Sequence, residues 1–397
     1  MAPDTLVAVQ DAVRELHASA SPWIPSGLGS RLSWGAKLQP APVLSLRHCN
    51  AVLDHAVDDL TITVQAGLPL ADLQAQLAEH QQWLPVDWPL GTHLNDAASA
   101  GTASGGTVGG LVARGLAGGL RHRHLGVRDQ IIGIGLIRTD GTEAHAGGRV
   151  VKNVAGYDLM RLLCGSWGSL ALISELTLRV QPIRPARALL VIHGPLEALE
   201  AWRADVVAST LTPELLNWQC SPEQPLRIQV GVASVSDAAV DDQLNRLRSL
   251  AELHQLSAEP HPWEGPLPPE ETSTTATPPG LVRLSLAPTQ VQALLHSNEL
   301  RALQGWHWQL AAGSGSGDGW IPMDASTRSD QLQSLRQRIE ALGGRLSVLR
   351  QPSTHSTAVD AWTDAPSRPL IEAVKRQFDP LQQLNRGRLP GVAHPFR

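Results

Sequence analysis

Hydrophobic positions near the start of the chain follow helix and strand periods in turn. Apolar residues recur every three or four positions over residues 6–16, which predicts an amphipathic helix. The segment TITVQAG (61–67) predicts a strand that ends at a glycine. Pro69 suits a first helical turn, and the leucines within residues 70–77 share one helix face. This part of the chain therefore predicts helix, strand and helix in that order.

Two further strands are predicted before residue 183. The run IIGIGLI (131–137) predicts a buried strand that closes at the turn signal Asp140-Gly141. The segment LTLRVQP (176–182) alternates apolar and polar residues and stops at a proline. Residues 1–183 are glycine-rich, and their strands are short.

Strand and helix patterns alternate over residues 184–350. Apolar residues recur at helical spacing within 240–250 and 332–342. This texture predicts an α+β domain with one mostly antiparallel sheet under helices. The predicted strands are RALLVI (187–192), LRIQVGV (226–232), LVRLSLA (281–287), WHWQL (306–310) and RLSVLR (345–350).

Two segments of this region predict loops. The stretch PLPPEETSTTATPPG (266–280) is rich in proline and polar residues and predicts a flexible loop. The stretch GSGSGDG (313–319) predicts a flexible hairpin tip, because polar glycine-serine tracts are loose and GSGDGW does not fit GxGxxG.

Composition narrows the class of protein. A chain of 397 residues predicts two or three domains, and a net charge of −5 gives no electrostatic case for nucleic acid. Three cysteines without CxxC spacing fit a reducing compartment. No basic start precedes an apolar run, and no stretch reaches about 18 apolar residues, so we expect a cytoplasmic protein without a membrane span.

The glycines raise the question of a cofactor. No GxGxxG lies between a strand and a helix, and no glycine-rich loop ends in GKS or GKT, so the Rossmann and P-loop phosphate sites are excluded. The segment PSGLGSRLSWG (25–35) remains, where successive backbone N–H groups can form a nest for anionic oxygens. Taken alone, such a segment is more often a mobile turn.

Five segments in a fixed order carry a resemblance to a known family. They are PSGLGSRLSWG, LPVDWP (84–89), GTVGGLVARGLAG (106–118), GVRDQIIGIGLIRTDG (126–141) and KNVAGYDLMRLLCGSWGSLALISELTLRVQP (152–182). Together they resemble the FAD-binding domain of the vanillyl-alcohol-oxidase (PCMH) type, which D-lactate and other D-2-hydroxyacid dehydrogenases share. The resemblance covers about residues 1–183 and returns at KRQFDPLQQLNRGRLPG (375–391).

The resemblance implies an α+β architecture in three parts. A two-part FAD-binding domain would span residues 1–183, and an α+β cap domain with a mostly antiparallel sheet would span 184–370. A C-terminal segment, 371–397, would return to the FAD domain. The first loop lacks the histidine or cysteine through which some relatives bond FAD, so noncovalent FAD is implied.

The resemblance also implies which residues contact FAD. The first loop would bind the pyrophosphate through backbone amides, and the glycine-rich middle segment would lie along the cofactor. The segment containing GSLALISEL would close over the adenine end, and the C-terminal return would lie near the isoalloxazine ring. The implied cofactor residues are Ser26, Gly27, Leu28, Gly29, Ser30, Arg31, Pro89, Thr107, Val108, Gly109, Gly110, Gly118, Asn153, Gly168, Ile173 and Asn385.

Within this family the segments look most like the FAD-binding subunit of bacterial-type glycolate oxidase. That resemblance implies a complex in which this chain supports a catalytic flavoprotein subunit and an iron–sulfur subunit, with a small 2-hydroxyacid as substrate of the complex. Membrane association would come through those partners.

Several departures from the family pattern bear on mechanism. The HGxGxxH-like metal stretch and the GEHG-like stretch of the catalytic dehydrogenases are missing, so no metal site and no catalytic residues are assigned. His122 and His124 form an HxH pair, but neighbouring arginines favour a loop that contacts cofactor or partner over a metal site. Asn385 begins NRGR where the family has NPGR. Asp158 can cap a helix that Gly165 ends, or can contact FAD.

Two other functions stay open at this point. The region 184–397 is long enough to supply catalytic residues for a self-sufficient FAD-dependent 2-hydroxyacid oxidoreductase. The departures at PSGLGSRLSWG, from the commoner GGGT-like loop, and at NRGR also fit a scaffold subunit without flavin.

Overall fold

The predicted helical patterns within residues 6–16, 70–77, 240–250 and 332–342 each correspond to a helix, and further helices, several of them short, add to them. The computed structural model describes residues 1–87, 105–148, 157–222, 224–263, 280–321, 329–351 and 358–395. The α-helices are α1 (Leu6–Ala18), α2 (Leu70–Glu79), α3 (Val108–Arg114), α4 (Arg121–His124), α5 (Val127–Gln130), α6 (Leu159–Leu163), α7 (Leu196–Ala208), α8 (Asp237–Leu253), α9 (Val291–Leu295), α10 (Asn298–Arg301), α11 (Ser329–Ala341) and α12 (Arg368–Phe378). No helix within these ranges is both long and apolar enough to cross a bilayer.

The strands form two main sheets and two short pairs. They are β1 (Ile24–Ser26), β2 (Val43–Ser45), β3 (Val52–Ala56), β4 (Thr61–Gln65), β5 (Gln82–Trp83), β6 (Ile131–Ile137), β7 (Glu143–Gly147), β8 (Leu172–Arg179), β9 (Gln181–Pro182), β10 (Ala186–His193), β11 (Leu215–Ser221), β12 (Gln224–Ser234), β13 (Ser257–His261), β14 (Gly280–Ser285), β15 (His307–Ala311), β16 (Ser316–Ile321) and β17 (Arg345–Arg350). The smaller main sheet has the order β3-β4-β8-β6-β7, and the larger has the order β13-β10-β12-β11-β15-β16-β14-β17. Every pairing in both is antiparallel, which confirms the predicted α+β class.

The smaller sheet packs under α1, α2 and α3. Val9, Val13 and Leu16 of α1 are buried, as are the three leucines of α2, so both predicted amphipathic helices are confirmed. Pro69 precedes α2 at the N-cap instead of lying in its first turn. These side chains share one core with the apolar residues of β4, β6 and β8.

The larger sheet has one apolar face and one mixed face. The helices α7, α8, α9 and α11 pack on the apolar face, in a core that includes Trp202, Trp218 and Trp308. All five strands predicted for this region are confirmed within one or two residues at most ends. The two sheets draw on residues 52–179 and 186–350 respectively, and the proposed boundary between 183 and 184 stays a prediction.

Polar side chains cross the mixed face of the larger sheet at one register. Gln219 lies opposite Arg227 and Gln309, and Asp318 lies opposite Gln309 and Arg283. We call these five residues the polar row. Because side chains alternate along a strand, the residues two positions away on each strand point to the same face.

Two predictions from the sequence need correction, and a third falls mostly on residues that the structure does not describe. Residues 316–319 of the predicted hairpin tip belong to β16, and only the preceding residues form the turn, because cross-strand pairing with β15 begins at Leu310–Gly317. The predicted strand 176–182 begins earlier, at Leu172, and breaks after Arg179, because Gln181 and Pro182 pair with β5 in a separate sheet. The predicted loop at 266–280 lies, apart from Gly280, outside the described residues.

Candidate functional site

Four separate segments of the chain enclose a cleft of about 810 Å³, including its open mouth. They are the first loop (residues 25–35), α3 with Thr107, residues 167–173, and the pair Asn385 and Arg388. The cleft brings glycine backbone and arginine side chains from distant parts of the chain to one place. The cleft is therefore the strongest candidate site among the described residues.

The first loop presents backbone to the cleft because Gly27 has no side chain. A Cβ at Gly27 would overlap the side chain of Thr107, which lines the opposite wall. The Gly27 carbonyl accepts a hydrogen bond from the Ser45 hydroxyl at 2.6 Å, which fixes the loop from behind. The loop and the segment before α3 can therefore approach each other only with glycine at this position.

Thr107 organises the start of α3. Its hydroxyl accepts a hydrogen bond from the Gly110 N–H at 3.1 Å, so it serves as the helix N-cap. Gly109 packs tightly on Ala66, where an added Cβ would lie 2.7 Å from the Ala66 Cβ. Val108 is fully buried in the smaller core and does not line the cleft.

Two arginines flank the indole ring of Trp34 beside the cleft. The guanidinium carbons of Arg31 and Arg114 lie 5.1 and 5.7 Å from the Trp34 ring centroid. Arg31 donates to the Gly105 carbonyl at 3.0 Å, which ties the first loop to the segment before α3. Burial lowers the pKa of Arg31 to about 10. Burial lowers the pKa of Arg114 well below its usual value, and the nearby Arg31 cation lowers it further.

A third arginine, Arg388, closes another side of the cleft. It donates to the carbonyls of Ala36 at 3.0 Å and Leu32 at 2.8 Å, and it lies 5.7 Å from the Trp167 ring centroid. Burial lowers its pKa to about 10. The cleft therefore has cationic groups on several sides.

Gly168 and Asn385 meet across the cleft wall. Gly168 has φ +70°, and a Cβ there would lie 2.9 Å from Asn385 Nδ2, so the backbone and the close approach both require glycine. The Asn385 Nδ2 donates to the Trp167 carbonyl at 2.7 Å. Its Oδ1 is buried without a hydrogen-bond partner, which leaves one acceptor at the wall.

A buried ion pair fixes the segment that carries Asn385. Lys375 Nζ lies 2.5 Å from Asp379 Oδ2 and also donates to the carbonyls of Ser169 and Leu384, at 2.7 and 3.0 Å. Both side chains are almost fully buried. Lys375 thus joins α12 to the wall segment after Gly168.

The first loop also contacts the larger sheet. Trp34 packs with Leu281, Trp320 and Leu349, which lie on the mixed face. The Gly35 N–H donates to the Leu349 carbonyl of β17 at 2.6 Å. The mixed face of the larger sheet therefore faces the part of the chain that forms the cleft.

Most of the residues implied by the sequence come together here. Val108 and Gly118 do not line the cleft, while Pro89 and Asn153 lie outside the described residues. Gly118 instead packs on Asp87, whose carboxylate accepts its N–H at 2.6 Å. The implied residues that line the cleft are Ser26, Gly27, Leu28, Gly29, Ser30, Arg31, Thr107, Gly109, Gly110, Gly168, Ile173 and Asn385.

Sequence reasoning missed Arg114, Arg388 and the Lys375–Asp379 pair. Arg114 follows the glycines of α3 by one helical turn, which is the signal that could have placed it over them. The four-residue spacing of Lys375 and Asp379 was a signal for the ion pair, but no helix was predicted there.

The HxH pair lies away from the cleft. His122 and His124 belong to the helical turn α4 instead of a loop, and the His124 ring lies 3.6 Å from Glu214 and edge-on to Trp83. His122 abuts Gly313. Within the described part of the chain, no group of three or more His, Cys, Asp or Glu side chains could hold a metal ion.

Asp158 does not cap α6 through its side chain. It occupies the N-cap position, but its carboxylate pairs with Arg161 at 2.9 Å, and no capping hydrogen bond forms. Gly165, with φ +81°, directly follows the C-cap residue Cys164, as the sequence predicts. Neither Asp158 nor the exposed Tyr157 lines the cleft.

Residues 1–147, which include the first loop, α3 and four of the five strands of the smaller sheet, match the family described as "FAD binding domain". The fold is also that of alkyldihydroxyacetonephosphate synthase, whose structure superposes with a TM-score of 0.68 over 98% of this chain and 76% of that chain, at 14% identity.

The relatives of the chain include subunits of a named oxidase. The chain is 31% identical over 215 residues to glycolate oxidase subunit GlcE of Escherichia coli, which covers 54% of this chain and 55% of that protein. It is 30% identical to glycolate oxidase subunit GlcD of Bacillus subtilis, over 55% of this chain and 46% of that protein. It is 34% identical to D-2-hydroxyglutarate dehydrogenase of Xanthomonas citri, over 51% of this chain and 42% of that protein. The chain thus spans about half the length of the curated relatives it matches.

The residues of the cleft fit an FAD molecule. A dinucleotide carries two phosphates, and the cleft offers glycine backbone beside buried guanidinium groups. The Arg114 Nη2 and the Asn385 Oδ1 are buried without partners, so a donor and an acceptor both remain to be satisfied.

Proposed function

We propose that this protein binds FAD noncovalently in the cleft and serves as the FAD-binding subunit of a multi-subunit 2-hydroxyacid oxidase. The observation that carries the proposal is the meeting of the first loop and α3, where glycine backbone lies beside the buried guanidinium group of Arg114. Anionic phosphates are stabilised by backbone N–H groups and by arginine, and both are present on this wall.

The walls suggest how FAD would be held. Gly27 and Gly29 would let the phosphates approach the first loop, and Asn385 Oδ1 would accept a hydrogen bond from the cofactor. When bound, FAD supplies a two-electron acceptor for oxidation of a 2-hydroxyacid. The side chains around the cleft would bind and orient it.

The proposed substrate of the complex is glycolate, which would be oxidised to glyoxylate. The names of two relatives, both glycolate oxidase subunits, support this choice. A separate catalytic flavoprotein subunit and an iron–sulfur subunit would complete the complex. The sequence lacks the HGxGxxH-like metal stretch of the catalytic dehydrogenases, which favours a role as a subunit that assists a separate catalytic subunit.

A flavin spectrum of the purified chain tests the proposal. We expect flavin absorption that is released into the supernatant on denaturation, and no glycolate turnover until the partner subunits are added. A colourless protein that also ignores added FAD would indicate a scaffold subunit. Rapid turnover of glycolate by the pure single chain would contradict the supporting role.

A second candidate is a self-sufficient 2-hydroxyacid oxidoreductase, and the polar row favours it. Arg283 and Asp318 pair at 2.7 Å on the mixed face, and Asp318 Oδ1 is buried without a hydrogen-bond partner. Such groups could bind a hydroxyl and a carboxylate. Substrate-driven bleaching of the bound flavin without partners would support this candidate, and no bleaching across a panel of 2-hydroxyacids would exclude it.

A further inference from the structure

We infer that Arg114, assisted by Arg31, forms an anion site for the diphosphate of the bound dinucleotide. The inference rests on the proposed FAD binding and deepens it, because it assigns charge recognition to one side chain. Backbone amides alone would bind phosphate without a fixed countercharge.

The guanidinium of Arg114 has a buried nitrogen, Nη2, without a hydrogen-bond partner. Burial and the nearby Arg31 cation both disfavour the charged form of this side chain. Buried charges in proteins are ordinarily paired, since an unpaired one costs several kcal/mol of desolvation. An anion in the cleft would supply the missing partner.

The side chain of Arg114 also lies close to the glycines that line the cleft. Arg114 ends α3, and long helical side chains point back toward the helix N-terminus. The Arg114 Nη1 accordingly lies 3.8 Å from where a Cβ of Gly110 would be, beside the glycines that line the cleft. The guanidinium thus lies over the same wall that the first loop faces.

A second cation, Arg31, lies beside Arg114. Arg31 and Arg114 both contact the Trp34 ring, and the positive charge of Arg31 lowers the pKa of Arg114. Two like charges held close together in a buried site repel each other, and an anion beside both would reduce that repulsion. A diphosphate carries charge on two adjacent phosphates, which suits two guanidinium groups on one wall.

The test compares Arg114→Met with the wild-type chain in two states. Without FAD, loss of an unpaired buried charge should raise the melting temperature. With FAD, the dissociation constant from flavin fluorescence should rise about 10- to 100-fold, as expected for lost hydrogen bonds to a charged group. A purely structural arginine would lower stability in both states. Arg114→Lys, which keeps the charge, should recover part of the affinity.

The midpoint potential of bound FAD separates the diphosphate from the ring. A cation over the isoalloxazine would stabilise the reduced flavin, so its loss would lower the potential; a cation at the diphosphate leaves the potential unchanged. An unchanged FAD dissociation constant in Arg114→Met would overturn the inference. A higher dissociation constant together with a lower midpoint potential would also overturn it. Arg121→Met, at an exposed position, is the matched control and should change neither quantity. Failure of the wild-type chain to bind FAD would instead refute the proposed function.

Discussion

Lys375 and Asp379 form an ion pair in which both side chains are almost completely buried, with Nζ 2.5 Å from Oδ2. The carboxylate also accepts the N–H groups of Gln383 and Leu384, each at 2.8 Å. Burial lowers the pKa of Lys375, and the Asp379 carboxylate opposes that shift. The pair fixes the backbone immediately before Asn385 and, through the Ser169 carbonyl, the opposite wall segment.

Lys375→Met should therefore destabilise the protein strongly. The change leaves Asp379 buried and unpaired, which typically costs about 3–5 kcal/mol of unfolding free energy. Urea unfolding measures the loss, and Lys37→Met, at an exposed lysine, is the control. Replacing both partners, in Lys375→Met with Asp379→Leu, should recover much of the stability. A loss below about 1 kcal/mol for the single variant would contradict a structural role for the pair.

Two substitutions of Asn385 distinguish the loss of a side-chain contact with FAD from the effect of backbone strain. Its φ of +48° lies in the left-handed region, so Asn385→Gly keeps the backbone relaxed while removing both amide contacts. We expect FAD affinity to fall by about 2- to 10-fold for the lost hydrogen bond. Asn385→Ala adds backbone strain of about 1–2 kcal/mol, which unfolding experiments would detect. Equal FAD affinity in the Gly variant and the wild type would remove Asn385 from the site.

Gly27→Ala should block the cleft wall. The added methyl group would overlap Thr107, so the first loop must move away from α3 at a cost of about 1–3 kcal/mol. Isothermal titration with FAD should show much weaker binding. Gly148→Ala is a matched control, because nothing lies within 4 Å of a Cβ there. A Gly27 variant that binds as tightly as the control would show that the phosphates do not approach this loop.

The pH dependence of stability should change in Asp318→Asn. Burial raises the pKa of Asp318 above its ordinary 3.8, with Arg283 opposing the shift and Asp87 adding to it. An acid whose pKa is raised on folding favours the native state at low pH, and that contribution disappears as pH rises through the folded pKa. Wild-type stability should therefore fall, relative to the variant, as pH increases above 3.8. Parallel curves of unfolding free energy against pH would contradict this.

The sequence predicts the fold well where one local period decides the structure. The apolar face of α1 and the run that forms β6 are examples, because burial of one face depends on the local pattern alone. It predicts poorly where polar or short segments form strands by pairing with distant neighbours. The glycine-rich start of β16 is one such case, since the cross-strand partners in β15 and β14 decide its conformation.

The candidate site divides in the same way. The glycines of the first loop and of α3 can be placed by resemblance, because their role lies in the backbone. The contact of Asn385 with Trp167 joins residues 218 positions apart, so no local pattern indicates it. Arg114 also resembles any helical arginine in the sequence, and only the packing shows that its Nη2 is buried without a hydrogen-bond partner.

The hydrogen bond from the Gly35 N–H to the Leu349 carbonyl connects the first loop to β17, an edge strand of the larger sheet. If FAD orders that loop, the effect would reach β17 through this hydrogen bond. If FAD thereby changes the affinity of β17 for a partner protein, that partner would change the affinity for FAD by the same factor. Hydrogen exchange at the β17 amides should slow when FAD is added. A partner protein that docks at this edge would then bind the FAD-bound chain and the FAD-free chain with different affinities, so that assembly would depend on bound flavin.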